Sequence, residues 1–174
     1  MQIRGETWGI LDRDFVRNPR AFIVQSLLAV LVGAAILYFV AVLTHAAIVA
    51  ALGSSAFVVF AIPKSRIAEA RRLIGGHVVG VAVGAFCHFV CLNGLLSGAA
   101  AELEFVTWVV GGVAIGLAVF GMTITNTEHP PAGGTALGIT VHGWSYQTVI
   151  FILACVICLA VFRRLMGRRL VNLY

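Results

Sequence analysis

Long apolar runs broken by short polar interruptions organise this chain. Residues 22–43 are almost wholly apolar, long enough for one helix to span about 30 Å of hydrocarbon. Thr44-His45 interrupts, and a shorter run at 46–62 carries Gly53-Ser54-Ser55-Ala56 and ends at Pro63. Further runs occupy 73–97, 106–126 and 148–166. Between the last two lies 127–142, which contains Glu128-His129-Pro130-Pro131-Ala132-Gly133-Gly134-Thr135-Ala136. Two prolines cannot sit inside a regular helix, but they fit its first turn, where amide hydrogens lack partners anyway. The pattern predicts a helix starting near Pro131, with Thr127 or Glu128 as cap. At membrane depth its free amides and positive dipole end would suit an anion. The bland alternative is a polar loop between two spans.

Composition fixes the class. The chain is 60% hydrophobic and 11% charged, against about 25% charged in soluble domains. It reads as a single transmembrane domain over 1–174. The net charge of +5 lies outside the apolar runs, which suits topology and lipid headgroups and excludes a nucleic-acid surface. The first run is too long for a signal-peptide core and reads as an anchor. Residues 1–20 mix Arg4, Arg13, Arg17 and Arg20 with Trp8, Leu11 and Phe15, the pattern of an interfacial segment or a frayed terminus.

Charge also orders the spans. All 12 Lys and Arg fall at the N-terminus, in 63–72 or at the C-terminus, while 98–105 carries only Glu102 and Glu104. The positive-inside rule places the three basic regions in the cytoplasm. Both 22–43 and 46–62 must then cross, and 127–142 must traverse as a broken segment. Trp108, Trp144 and Tyr146 fall at the outer interface in this arrangement. The alternative, four spans with two re-entrant loops, strands Lys64, Arg66, Arg71 and Arg72 outside.

Six segments make two sets of three, the second inverted. Ala51-Leu52-Gly53-Ser54-Ser55-Ala56 and Ala132-Gly133-Gly134-Thr135-Ala136-Leu137 align at an offset of about 80 residues. The expected fold is therefore an all-α polytopic membrane protein of two inverted repeats, the middle segment of each broken, with a site where the breaks meet. Its lining would be Gly53, Ser54 and Ser55 from one side and His129, Pro130, Pro131, Gly133, Gly134 and Thr135 from the other. Glycines four apart (Gly76, Gly80 and Gly84; Gly112 and Gly116; Gly94 and Gly98) form ridges for close helix packing.

His77 and His88 lie eleven residues apart on nearly one helical face. Intramembrane histidines are candidate pathway residues, though a histidine bonded to neighbouring backbone is an equal alternative. His129, beside the break, could donate to an anion or carry a proton with it. Cys87 with Cys91 and Cys155 with Cys158 lie in apolar helices and read as small buried hydrophobes. No metal, cofactor or enzymatic constellation is expected.

Thr127-Glu128-His129-Pro130-Pro131-Ala132-Gly133-Gly134-Thr135-Ala136 resembles the signature of the HPP family of integral membrane proteins. Gly53-Ser54-Ser55-Ala56, Pro63-Lys64-Ser65 and Arg71 to Gly75-Gly76-His77 extend the resemblance across about 20–166. The chain departs from the family pattern at Glu69-Ala70-Arg71-Arg72, where Gln-Pro-Arg-Asn is favoured. The family is described with four spans, against the six segments counted here. The resemblance implies transport of a small monovalent anion, nitrite first. Separately, a chain this small with glycine ridges is expected to form a homo-oligomer, and the expected location is a bacterial inner membrane with both termini cytoplasmic. The competing class is a non-transporting membrane scaffold or assembly subunit.

Overall fold

The structure, a computed structural model, describes residues 18–28, 46–167 and 169–173. Most of the interfacial segment and of the 22–43 span lies outside the described residues. Among the described residues every regular element is helical. Residues 19–28 are helical, and α1 follows at Ala46–Ala61. A 3₁₀ turn at Arg66–Ala68 leads into α2, Ala70–Phe86, which continues as a π-helix over Cys87–Leu95. Then come a short α3 (Ser97–Glu102), α4 (Glu104–Thr125), α5 (Ala132–His142) and α6 (Tyr146–Met166).

Three of these helices are long and apolar enough to cross a membrane: Ala70–Leu95, Glu104–Thr125 and Tyr146–Met166. None contains proline, so backbone bonding continues through each. Their ends follow local chemistry. Asn126 closes α4 in the left-handed region at φ 54°, a conformation asparagine tolerates better than most residues. Gly143 closes α5 at φ 96°, where a side chain would be strained. The Ser145 side chain accepts from the Thr148 amide at the start of α6.

The contacts fix the directions. α4 runs antiparallel to α2: Thr125 O accepts from Arg71, while Val110 and Ala114 pack with Cys87. The chain then turns at Asn126 and climbs back beside α2. Gly76 faces His129, Gly80 faces Ala132, Gly84 faces Ala136, and His88 reaches Thr140 O. Residues 126–143 thus ascend parallel to α2 between Arg72 and His88, about 24 Å at 1.5 Å per residue. α6 descends again, and Arg163 Nε donates to Pro63 O at 2.7 Å. α1 also descends, antiparallel to α5, with Ile48 against Gly138 and Ala51 against Gly134.

The basic 63–72 loop and the basic end of α6 therefore share one end of the bundle, and Glu102 and Glu104 lie at the other. Residues 169–173 return to the basic end. Leu173 N donates to Ala61 O at 2.8 Å, and Lys64 N to Asn172 Oδ1 at 3.0 Å.

α5 lies between α1, α2 and α4, and glycine makes this possible. A Cβ at Gly80 would stand 2.6 Å from Ala132 O, and one at Gly84 2.8 Å from Ala136 O. The ridge Gly76-Gly80-Gly84 is used within the chain, whereas a Cβ at Gly112, Gly116 or Gly98 would meet nothing within 4 Å. The main core packs α1, α2, α5 and α6 together through Leu52, Val59, Phe60, Leu73, Ile139, Ile152 and Val156.

Two expectations need correction. The predicted break near Gly53 is absent, because α1 is continuous from Ala46 to Ala61. Ser54 and Ser55 turn their hydroxyls onto Ala50 O and Ala51 O, and one glycine costs a helix only about 1 kcal/mol. The second break is present, yet neither Thr127 nor Glu128 caps α5. Pro131 occupies the cap position with no side-chain cap bond.

Candidate functional site

Where α5 begins, four polar side chains from α1, α2, α5 and the 126–131 turn converge. Ser55, His77, His129 and Thr135 are each 0% exposed. Ser55 Oγ lies 2.9 Å from Nε2 of His77 and 2.9 Å from Nε2 of His129. His77 Nδ1 lies 2.9 Å from Thr135 Oγ1. His129 Nδ1–H donates to Ile67 O at 2.9 Å. The two rings are tilted, with centroids 5.3 Å apart.

Local structure sets each of these positions. The Gly76 backbone lies so close to His129 that an added Cβ would come 2.7 Å from the His129 Cβ. Proline at 130 and 131 forces the chain out of helix just before α5, which holds His129 beside α2. Continuity of α1 points Ser55 inward while Gly53 and Ser54 face outward.

The sequence-predicted lining is thus divided. Ser55, His129 and Thr135 meet, and His77 joins them. Gly53 and Ser54 lie on the exposed side of α1, and Pro130 is exposed. Gly133 packs on Ile115 of α4, and Gly134 on Ala51 and the Ala47 carbonyl of α1. The amides expected to be free are engaged. Gly133 N donates to Pro130 O at 3.1 Å and Gly134 N to Pro131 O at 3.0 Å. Polar side chains, rather than open amides, characterise this site. It lies about 10 Å along α2 from its start at 1.5 Å per residue, in the half of the Ala70–Leu95 span that starts at the basic end.

His88 stands apart from the cluster. Its Nδ1 lies 3.1 Å from Thr140 O and its Nε2 3.0 Å from Asn93 Nδ2. A carbonyl only accepts, so Nδ1 carries the hydrogen and ties the end of α5 to the π-helix. The four cysteines are free thiols. Among the described residues no three His, Cys, Asp or Glu side chains converge as a metal site.

Sequence reasoning missed the polar lock at the basic end. Arg72 is 6% exposed and ion-paired to Glu128, with Glu69 3.8 Å away. It also donates to Asn126 Oδ1, while Arg71 Nη2 donates to Thr125 O at 3.1 Å. This lock holds the turn that delivers His129. Gln25, 2% exposed, donates to Phe60 O and Val171 O and accepts from Val171 N. Its signal was legible: a lone amide near the start of an apolar run.

A sequence model of the HPP family's transmembrane region matches residues 16–170. Two curated relatives from Dictyostelium discoideum, each described only as a transmembrane protein, are also similar. One is 36% identical over 84 residues, covering 48% of this chain and 24% of the relative. The other is 33% identical over 90 residues, covering 52% of this chain and 28% of the relative. The matched region thus spans about a quarter of either relative's length. No solved structure matches the chain.

Proposed function

The chain belongs to the HPP family of integral membrane proteins, and from that premise we propose that it is a transporter or channel for a small monovalent anion, nitrite first. The observation that carries this reading is the buried Ser55–His77–His129–Thr135 cluster, built where a proline-broken segment enters a helix bundle. Ionisable side chains at membrane depth are costly and mark substrate or ion pathways. These four offer hydroxyl and imidazole donors and no carboxylate to repel an anion. Broken segments meeting another helix are where transporters place such sites.

The antiparallel crossing of α1 and α5 supports an inverted-repeat origin. At the 80-residue offset Ser55 is the counterpart of Thr135, and both bond to His77. We read the glycines and prolines at 130–134 as residues that shape the entrance. We also read the protein as a homo-oligomer of a bacterial inner membrane, basic end in the cytoplasm, and as a transporter and not an enzyme.

Liposome uptake with nitrite, nitrate, formate and chloride tests this. Nitrite should enter well above the rate in protein-free liposomes. No acceleration for any of the four would return the protein to the scaffold class.

A further inference from the structure

The buried cluster is one hydrogen short. Five contacts join it: Thr135 Oγ1–His77 Nδ1, His77 Nε2–Ser55 Oγ, Ser55 Oγ–His129 Nε2, Ser55 Oγ–Ala51 O and His129 Nδ1–Ile67 O. All lie at 2.8–2.9 Å, and each needs one hydrogen. With neutral imidazoles the four side chains supply one hydrogen each, four in all.

Their placement is dictated. The Ile67 carbonyl cannot donate, so His129 keeps its hydrogen on Nδ1 and leaves Nε2 bare. Ser55 Oγ gives its one hydrogen to Ala51 O at 2.8 Å. His77 must then present Nε2–H to Ser55 and accept at Nδ1 from Thr135. The contact between Ser55 Oγ and His129 Nε2 is left without a hydrogen. One added proton completes it. His129 then holds hydrogens on both nitrogens, and Ser55 keeps its own on Ala51 O. The two lone pairs of Ser55 Oγ accept from both Nε2–H groups.

We propose that the Ser55–His77–His129–Thr135 cluster is a proton-binding site that takes up one proton together with the carried anion. The inference rests on the transport reading above. The proton, taken up from water with the anion, adds at the bare Nε2 of His129 and forms the Nε2–H bond to Ser55 Oγ. No other bond breaks, and His77 stays neutral with its hydrogen on Nε2. The charge rests on His129. It stops there, because the Ile67 carbonyl cannot relay it further.

Burial makes the two uptakes depend on each other. A lone charge here loses its hydration without compensation, whether imidazolium or anion, and the pair together is neutral. The surroundings leave the counter-charge to the anion. α1 has no titratable residue, and α4 and α5 carry Glu104 and His142 at their far ends. α6 contributes Tyr146 at its far end, Cys155, Cys158 and, at the basic end, Arg163 and Arg164. On the near side Arg72 engages Glu69 and Glu128.

The test uses the full chain in liposomes with an entrapped pH dye, and ¹⁵N-histidine-labelled protein in lipid nanodiscs. Nitrite uptake should acidify the interior by one proton per anion, beyond protein-free liposomes, without building a voltage. In nanodiscs without anion, His77 should carry its hydrogen on Nε2 and His129 on Nδ1, with signals assigned through His77→Gln and His129→Gln. Ser55→Ala should slow uptake by about tenfold or more, and Ser55→Thr should recover it. Stoichiometry is read on wild-type protein, so a poorly inserting variant does not blunt the test. Uptake that builds a voltage without acidification overturns the proton site and leaves the transport reading standing. Both rings in the same tautomer overturn the wiring. Wild-type protein that moves none of the four anions overturns both readings.

Discussion

Single residues divide here into those that leave room and those that fill it with polar bonds. Gly80 leaves room: its Cβ position lies 2.6 Å from a backbone carbonyl of α5. Gly80→Ala should therefore force α2 and α5 apart and destabilise by about 1–3 kcal/mol. Gly112→Ala and Gly116→Ala, with open space around them, should stay within about 0.5 kcal/mol. Thermal unfolding of the three variants in one detergent checks the contrast. Thr135 fills its place. Thr135→Val strands the buried Nδ1 of His77 and should cost about 1–3 kcal/mol, read in the same assay. The glycine ridge and the position of His129 beside the helix break were legible in the sequence. The partnership of His129 with His77 was not, because the residues are far apart in the chain and meet only through the parallel register of α2 and the 126–142 segment. Gly134 also changes meaning. Its contact with Ala51 makes it a packing position, so Gly134→Leu tests helix approach before it tests transport.

At the scale of elements, proline was a reliable guide and glycine was not. Pro130 and Pro131 break the chain as expected, since no neighbour restores a missing donor. Gly53 does not, because its helix keeps every backbone bond and two serines bond back onto it. The π-helix at Cys87–Leu95 had no sequence signal, and with it the role of His88 was undetermined. Its bond to Thr140 O makes it a tie for the end of α5. His88→Gln, which keeps a donor, should leave anion uptake within about twofold of wild type, less than 1 kcal/mol. A collapse of uptake would place His88 in the pathway. The Arg72 lock acts on the turn before α5. Arg72→Gln removes its ion pairs with Glu69 and Glu128 and should cost about 1–3 kcal/mol, measured by thermal unfolding.

The whole molecule is ordered by charge. Counting basic residues predicts that 127–142 traverses, and we propose that it does: within the bundle α2 and 126–143 run one way and α4 and α6 the other. Hydropathy alone gives no span here, because α5 has only 11 residues, about 16 Å of helix at 1.5 Å per residue. The same contacts put Arg66 and Leu103 at opposite ends. In a background without the four native cysteines, Arg66→Cys should react with an impermeant thiol reagent only from the cytoplasmic face, and Leu103→Cys only from the other. Labelling of both from one face would contradict the traverse.

The central claim is that a small anion crosses this membrane by way of the cluster at the start of α5. Its most direct test is the initial rate of nitrite entry into liposomes holding equal amounts of folded wild-type, Ser55→Ala and His88→Gln protein. The account predicts wild-type entry well above protein-free liposomes, a loss of about tenfold or more in Ser55→Ala, and near-normal entry in His88→Gln. Equal rates in wild type and Ser55→Ala would contradict it.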